Sequence, residues 1–111
     1  MSNKEKKLLA DILESINSID FHLQYKHDYN LYLNNKTIRR SVEREMEIIG
    51  EAVNNLLKLQ PEIKITSAQK IVDLRNLIIH AYDAVNNEMI WVIIIRHLPL
   101  LKTEMEQLLK K

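Results

Sequence analysis

Met89-Ile90-Trp91-Val92-Ile93-Ile94-Ile95 is the stretch that decides the fold, because it is apolar on every side. Alone, so β-branched a run fits a buried strand. The residues after it point the other way. Leu98, Leu101, Met105 and Leu108 recur at steps of three and four, the period of a helix. One helix is therefore expected from near Glu88, with Asn86 or Asn87 as its cap. Pro99 should kink it or open a new first turn. A helix apolar all round needs more than one partner face, and a subunit interface would supply the second.

The same period recurs upstream. Ile71, Leu74, Ile78 and Ala81 mark the apolar face of a preceding helix. Thr66-Ser67-Ala68-Gln69 announces it as a capping box, in which Thr66 and Gln69 would satisfy each other's free amides. Before it, Ile38, Val42, Met46, Ile49, Val53, Leu56 and Leu57 predict a long helix that Pro61 ends. Gly50 lies inside that helix at a cost of about 1 kcal/mol relative to alanine, which close approach of another helix would explain. Leu8, Leu9, Ile12, Ile16, Ile19 and Leu23 predict the first helix, with Asn3 as cap and Glu5 in its first turn. Tyr25 to Asn35 reads as a connector with one short helical turn, its tyrosines packed onto the bundle. The expected fold is all-α: four main helices on short loops, an antiparallel bundle filling one domain, residues 1–111.

Composition agrees. One glycine and two prolines are too few turn residues for an all-β fold, and 46% hydrophobic residues can build a core. Sixteen basic against fifteen acidic residues make no general positive field, so any RNA site must be a local basic cluster. The absence of cysteine excludes disulfides and thiolate zinc sites. No signal-peptide pattern and no apolar run of membrane length occur, so the cytoplasm is the expected compartment and no membrane partner is expected.

Chemistry concentrates in Arg75, Asn76, His80, Tyr82 and Asp83. Arginine offers a permanent planar fork for phosphate, and histidine moves protons near neutral pH. By themselves such residues are better explained by surface decoration or a hydrogen-bonded pair. At about 100° per residue, Asn76 and His80 share nearly one face, whereas Arg75 and His80 stand about 140° apart. One helix does not easily aim both at one phosphate. The spacing favours a groove, or a site shared across a two-fold axis. Glu47 and Glu51 share a helix face without partner histidines, so no metal cage is expected, and His22, His27 and His97 are scattered.

Arg75-Asn76-Leu77-Ile78-Ile79-His80-Ala81-Tyr82 resembles the R-x4-H-x-Y motif of HepT-like HEPN proteins. Glu43 to Ala52 resembles that family's second-helix signature ending I-G-E-A, Pro61-Glu62-Ile63 its P-E-I turn, and Ile90-Trp91 with Leu98-Pro99-Leu100-Leu101 its final helix. The resemblance implies an all-α HEPN four-helix bundle, homodimeric or a higher even oligomer, with a metal-independent ribonuclease site at the dimer cleft and no cofactor. It implies Arg75 and His80 as the catalytic pair, Asn76 as a supporting residue and RNA as substrate, with Glu51 a further supporting candidate. It also implies a toxin of a type II toxin–antitoxin pair, silenced by an MntA-type minimal nucleotidyltransferase that transfers AMP onto Tyr82. The alternatives are a catalytically silent HEPN module that partners a nucleotidyltransferase, and a plain helical dimerisation protein. Two positions depart from the pattern: Ala81 stands where many relatives have glycine, and Arg96-His97 where acidic residues are common.

Overall fold

The computed structural model describes residues 1–111 and contains helices and turns only. Helix α1 spans Asn3–His22. Its cap is Ser2, one residue before the expected Asn3: the Ser2 hydroxyl accepts from the Glu5 amide and donates to the Glu5 carboxylate, both at 3.1 Å. Leu9, Ile12, Ile16 and Ile19 are buried along it. A single short turn, α2 (Tyr29–Leu33), is capped by Asp28, and the long α3 (Lys36–Leu59) by Asn35. Helix α3 stops at Leu59, before Pro61.

Helix α4 spans Ala68–His80, and its start corrects the sequence expectation. Thr66 and Gln69 do not cap each other. The Thr66 amide and hydroxyl both donate to the Glu104 carboxylate, at 3.2 and 2.8 Å, and the Gln69 amide nitrogen donates to Asp73 at 2.7 Å. A charged acceptor brought by tertiary packing outcompetes the neutral local one. Ala81 is also corrected: it lies beyond the helix and is exposed, leaving Ile71, Leu74 and Ile78 as the buried face.

The final segment is one helical rod in three parts: α5 (Asn87–Val92) capped by Asn86, a π-helical turn at Ile93–His97, and α6 (Leu98–Leu109). Pro99 explains the wider turn. It has no N–H for the ladder and its ring would strike the carbonyl four residues back, and the π turn just before it relieves both demands.

Contacts fix the packing as antiparallel. His22 faces Glu45 while Leu8 lies near Ala52, so α1 runs against α3. Glu43 meets Tyr82 while Gly50 meets Arg75, so α4 runs against α3. A single buried cluster joins all the long helices, from Leu9 through Met46 and Ile71 to Met105. Tyr29 and Tyr32 pack on Trp91, with ring centroids 5.4 and 5.5 Å from it, which ties α2 to α5 as expected for those two tyrosines. Tyr25 does not join them and stays in solvent. No helix is long and apolar enough to cross a membrane.

Candidate active site

Arg75 sits on the α4 face that crosses α3 at Gly50. A Cβ placed on Gly50 would come within 2.3 Å of the Arg75 Cβ and 2.7 Å of its Cγ. The glycine is therefore a notch that receives the arginine stem, which accounts for tolerating its helix penalty. The guanidinium beyond the stem is held on two sides. One Nη donates to Asn76 Oδ1 at 2.9 Å, and the other faces Glu51 Oε2 at 3.6 Å. Nε is buried without a partner. Most of the arginine side chain is covered, while that of Glu51 is largely exposed.

His80 is the last residue of α4 and is exposed. No hydrogen bond joins its ring to the rest of the chain, and none joins it to Arg75. Just beyond it, a one-turn 3-10 segment, Tyr82–Ala84, swings Tyr82 back toward α3. The Tyr82 hydroxyl donates to Glu43 Oε1 at 2.7 Å while half of the side chain stays in solvent. That hydrogen bond, then partial burial, holds the phenol above its ordinary pKa, and the Arg40 and Arg39 charges oppose the shift. Asp83 is exposed and makes no side-chain bond.

Thus α4 brings Arg75 and Asn76 together, adds Glu51 from α3, and leaves His80 free at its end. Sequence reasoning did not single out Glu43. It lies 39 residues from Tyr82, and its only local signal is membership of the charged string Glu43-Arg44-Glu45. It also missed the pair at the other end of α4, where Ser67 Oγ and His97 Nδ1 lie 2.8 Å apart. Burial first, then the Lys70 and Arg96 charges, keep His97 below the usual histidine pKa, so it is neutral near pH 7. No three His, Asp or Glu side chains converge on one point.

A fixed guanidinium and a solvent-facing imidazole on one helix are groups suited to chemistry at a phosphate: charge stabilisation from the first and proton transfer from the second. The family model described as Ribonuclease HepT-like matches residues 12–108, a span containing all of these groups. The chain belongs to the HepT-like ribonuclease family. Among its HepT-like relatives, "Putative RNase MJ1380" of Methanocaldococcus jannaschii is 37% identical over 96% of this chain and 98% of its own. A second protein of that organism, "Putative RNase MJ0127", is 33% identical over 95% of this chain and 87% of its own. "Probable ribonuclease HepT" of Thermococcus cleftensis is 32% identical over 99% of this chain and all of its own. No solved structure matches the chain.

Proposed function

We propose that this protein is a metal-independent RNA endonuclease working as a homodimer, the toxin of a type II toxin–antitoxin pair. One observation carries the reading: Arg75 is held by Gly50, Asn76 and Glu51, while His80, five residues further along the same helix, is exposed and bonded to nothing. The 2′-oxygen attacks the adjacent phosphorus, the P–O2′ bond forms and the P–O5′ bond breaks. One His80 removes the 2′-proton, and its two-fold copy protonates the leaving 5′-oxygen. Arg75 stabilises the charge gathering on the phosphate. The second copy is placed on the groove between α4 and α5. Leu74, Leu77, Met89, Val92 and Ile93 line it with apolar surface, and Met89 and Val92 are exposed.

Cleavage is expected from the purified protein on total RNA in the presence of EDTA, and expected to vanish in both His80→Ala and Arg75→Ala. Undiminished cleavage by His80→Ala would sink the scheme. The regulating partner is an MntA-type nucleotidyltransferase, and Tyr82, half in solvent, is the AMP acceptor. AMP there adds bulk and negative charge beside the site, which blocks RNA by occupancy and repulsion. Mass spectrometry after co-expression with the partner should find one AMP mass on Tyr82 and none on Tyr82→Phe. A neutralised complex with unmodified Tyr82 contradicts this. A silent module that binds a nucleotidyltransferase is the second reading. Its support is that Asn76 and Glu51 already occupy both ends of the Arg75 fork.

A further inference from the structure

Where α1 ends beside the start of α3, a shallow groove of about 440 Å³ is lined by His22, Thr37, Arg40, Ser41, Arg44 and Glu45, with no apolar side chain among them. Its lining offers guanidinium forks, hydroxyls and an imidazole, the donor types that phosphate accepts from. Lys36, Arg40 and Arg44 recur every fourth residue, so three like charges share one stripe of α3, a spacing that disfavours an isolated helix. Neighbouring acids offset the stripe in part and leave Arg40 unpaired. Glu45 Oε2 is 3.6 Å from His22 Nε2, and Glu47 pairs with Arg44 at 3.0 Å. The Arg40 side chain takes part in no ion pair.

Aromatic surface stands beside this polar lining. Phe21 and Tyr25, 63% and 77% exposed, are the most exposed of the large hydrophobic side chains. The Phe21 ring meets the His22 ring edge-on with centroids 5.8 Å apart, which puts it at the groove's margin. Tyr25 follows within one turn. Gln24 and Tyr25 hold φ of 58° and 57°, the left-handed region that side-chain-bearing residues rarely adopt. A hydrogen bond from the Tyr25 amide to the Asp20 carbonyl, at 2.8 Å, secures that conformation. The pair closes the carboxyl end of α1 as a left-handed cap. The core has no claim on either ring, since Tyr29 and Tyr32 of the same connector fill the Trp91 cluster instead.

We infer that this groove is a second nucleic-acid site, holding single-stranded RNA through phosphate contacts to Arg40 and Arg44 and base stacking on Phe21 and Tyr25. Exposed aromatic faces beside a cationic groove suit unpaired bases, because a duplex keeps its base faces hidden. The groove is also joined to the candidate active site. Glu43, which holds the Tyr82 hydroxyl, is the immediate neighbour of Arg44 and lies one turn from Arg40. A strand leaving the end of α4 crosses the exposed face of α3 and enters the groove. The inference rests on the ribonuclease reading and extends its substrate contacts beyond the scissile phosphate.

The test is fluorescence anisotropy on the full chain in a His80→Ala background, with a short oligouridylate, an RNA duplex of equal length and inorganic polyphosphate as probes. The oligouridylate should bind more tightly than the duplex. The double variant Arg40→Gln/Arg44→Gln should weaken oligouridylate and polyphosphate alike by about tenfold or more. It should also flatten the salt dependence of oligouridylate binding, by roughly 0.7 log units for each phosphate that no longer meets a guanidinium. Phe21→Ala/Tyr25→Ala should weaken the single strand about tenfold and leave polyphosphate unchanged. Unchanged oligouridylate affinity in either double variant overturns the groove. Duplex bound as tightly as single strand overturns it too. Wild-type chain that cleaves RNA, beside groove variants that bind and cleave like it, removes the groove and leaves the ribonuclease reading standing. Wild-type chain that neither binds nor cleaves RNA removes both.

Discussion

Gly50 and Arg75 fit as notch and stem, and the fit sets the fate of a substitution that helix propensity alone would misjudge. Alanine in a helix interior is worth about 1 kcal/mol over glycine. Here the added methyl would stand 2.3 Å from one carbon and 2.7 Å from the next, so α3 and α4 must part or the arginine must move. Overpacking of this kind costs about 1–3 kcal/mol. Gly50→Ala is expected to be less stable than wild type in urea and to cleave RNA at least tenfold more slowly, measured by single-turnover kinetics. A variant that gains stability and cleaves normally contradicts the notch. In the sequence, Gly50 was consistent with close approach of another helix or with a neutral accident. The sequence did not show which residue would sit there, because no local pattern pairs Gly50 with Arg75. Arg75, Asn76, His80 and Tyr82 were singled out as candidates by family likeness, since their spacing on one helix does not by itself make a site. Glu43 was not, since its partner is 39 residues away.

At the scale of elements, α4 is fastened at its start by the last rod and left open at its end. Thr66-Gln69 has the form of a local cap, yet Glu104 takes Thr66 from 38 residues away. Helix-period apolar spacing made the elements legible. The caps were legible only where their partners were local, as at Asn86, whose side chain accepts from the Met89 amide at 2.8 Å. The Ile93–His97 turn was foreshadowed by Pro99, although a proline can equally kink a helix or begin one. Loss of a hydrogen bond to a charged acceptor typically costs about 1.5–3 kcal/mol. Glu104→Ala should lower stability by about that amount and speed exchange of the Thr66 amide, while α3 stays protected. Unaltered exchange at Thr66 would show that the carboxylate does not hold it.

For the molecule as a whole, the alkaline response is expected to centre on the buried Tyr32. Burial first, then the Glu43 charge, hold the Tyr32 phenol well above its ordinary value, and the Glu43 hydrogen bond raises Tyr82 as well. A group whose pKa rises on folding keeps its proton more tightly in the folded state. Its contribution is complete below the unfolded pKa of about 10 and is lost as pH climbs beyond it. The urea midpoint is therefore expected to fall above about pH 10, and Tyr32→Phe should remove much of that fall. A wild-type midpoint that holds steady through the alkaline range speaks against the buried phenol. The order in which the chain is made gives the Glu104 contact a further meaning. Synthesis delivers Arg75 to Tyr82 before His97 and Glu104 exist, and folding tends to follow the emerging chain. A nascent or truncated chain thus carries Arg75, Asn76 and His80 on a helix whose start is not yet held by Glu104. If the site needs a firm α4, a half-made molecule does not yet cleave RNA, and activity arrives with the final rod.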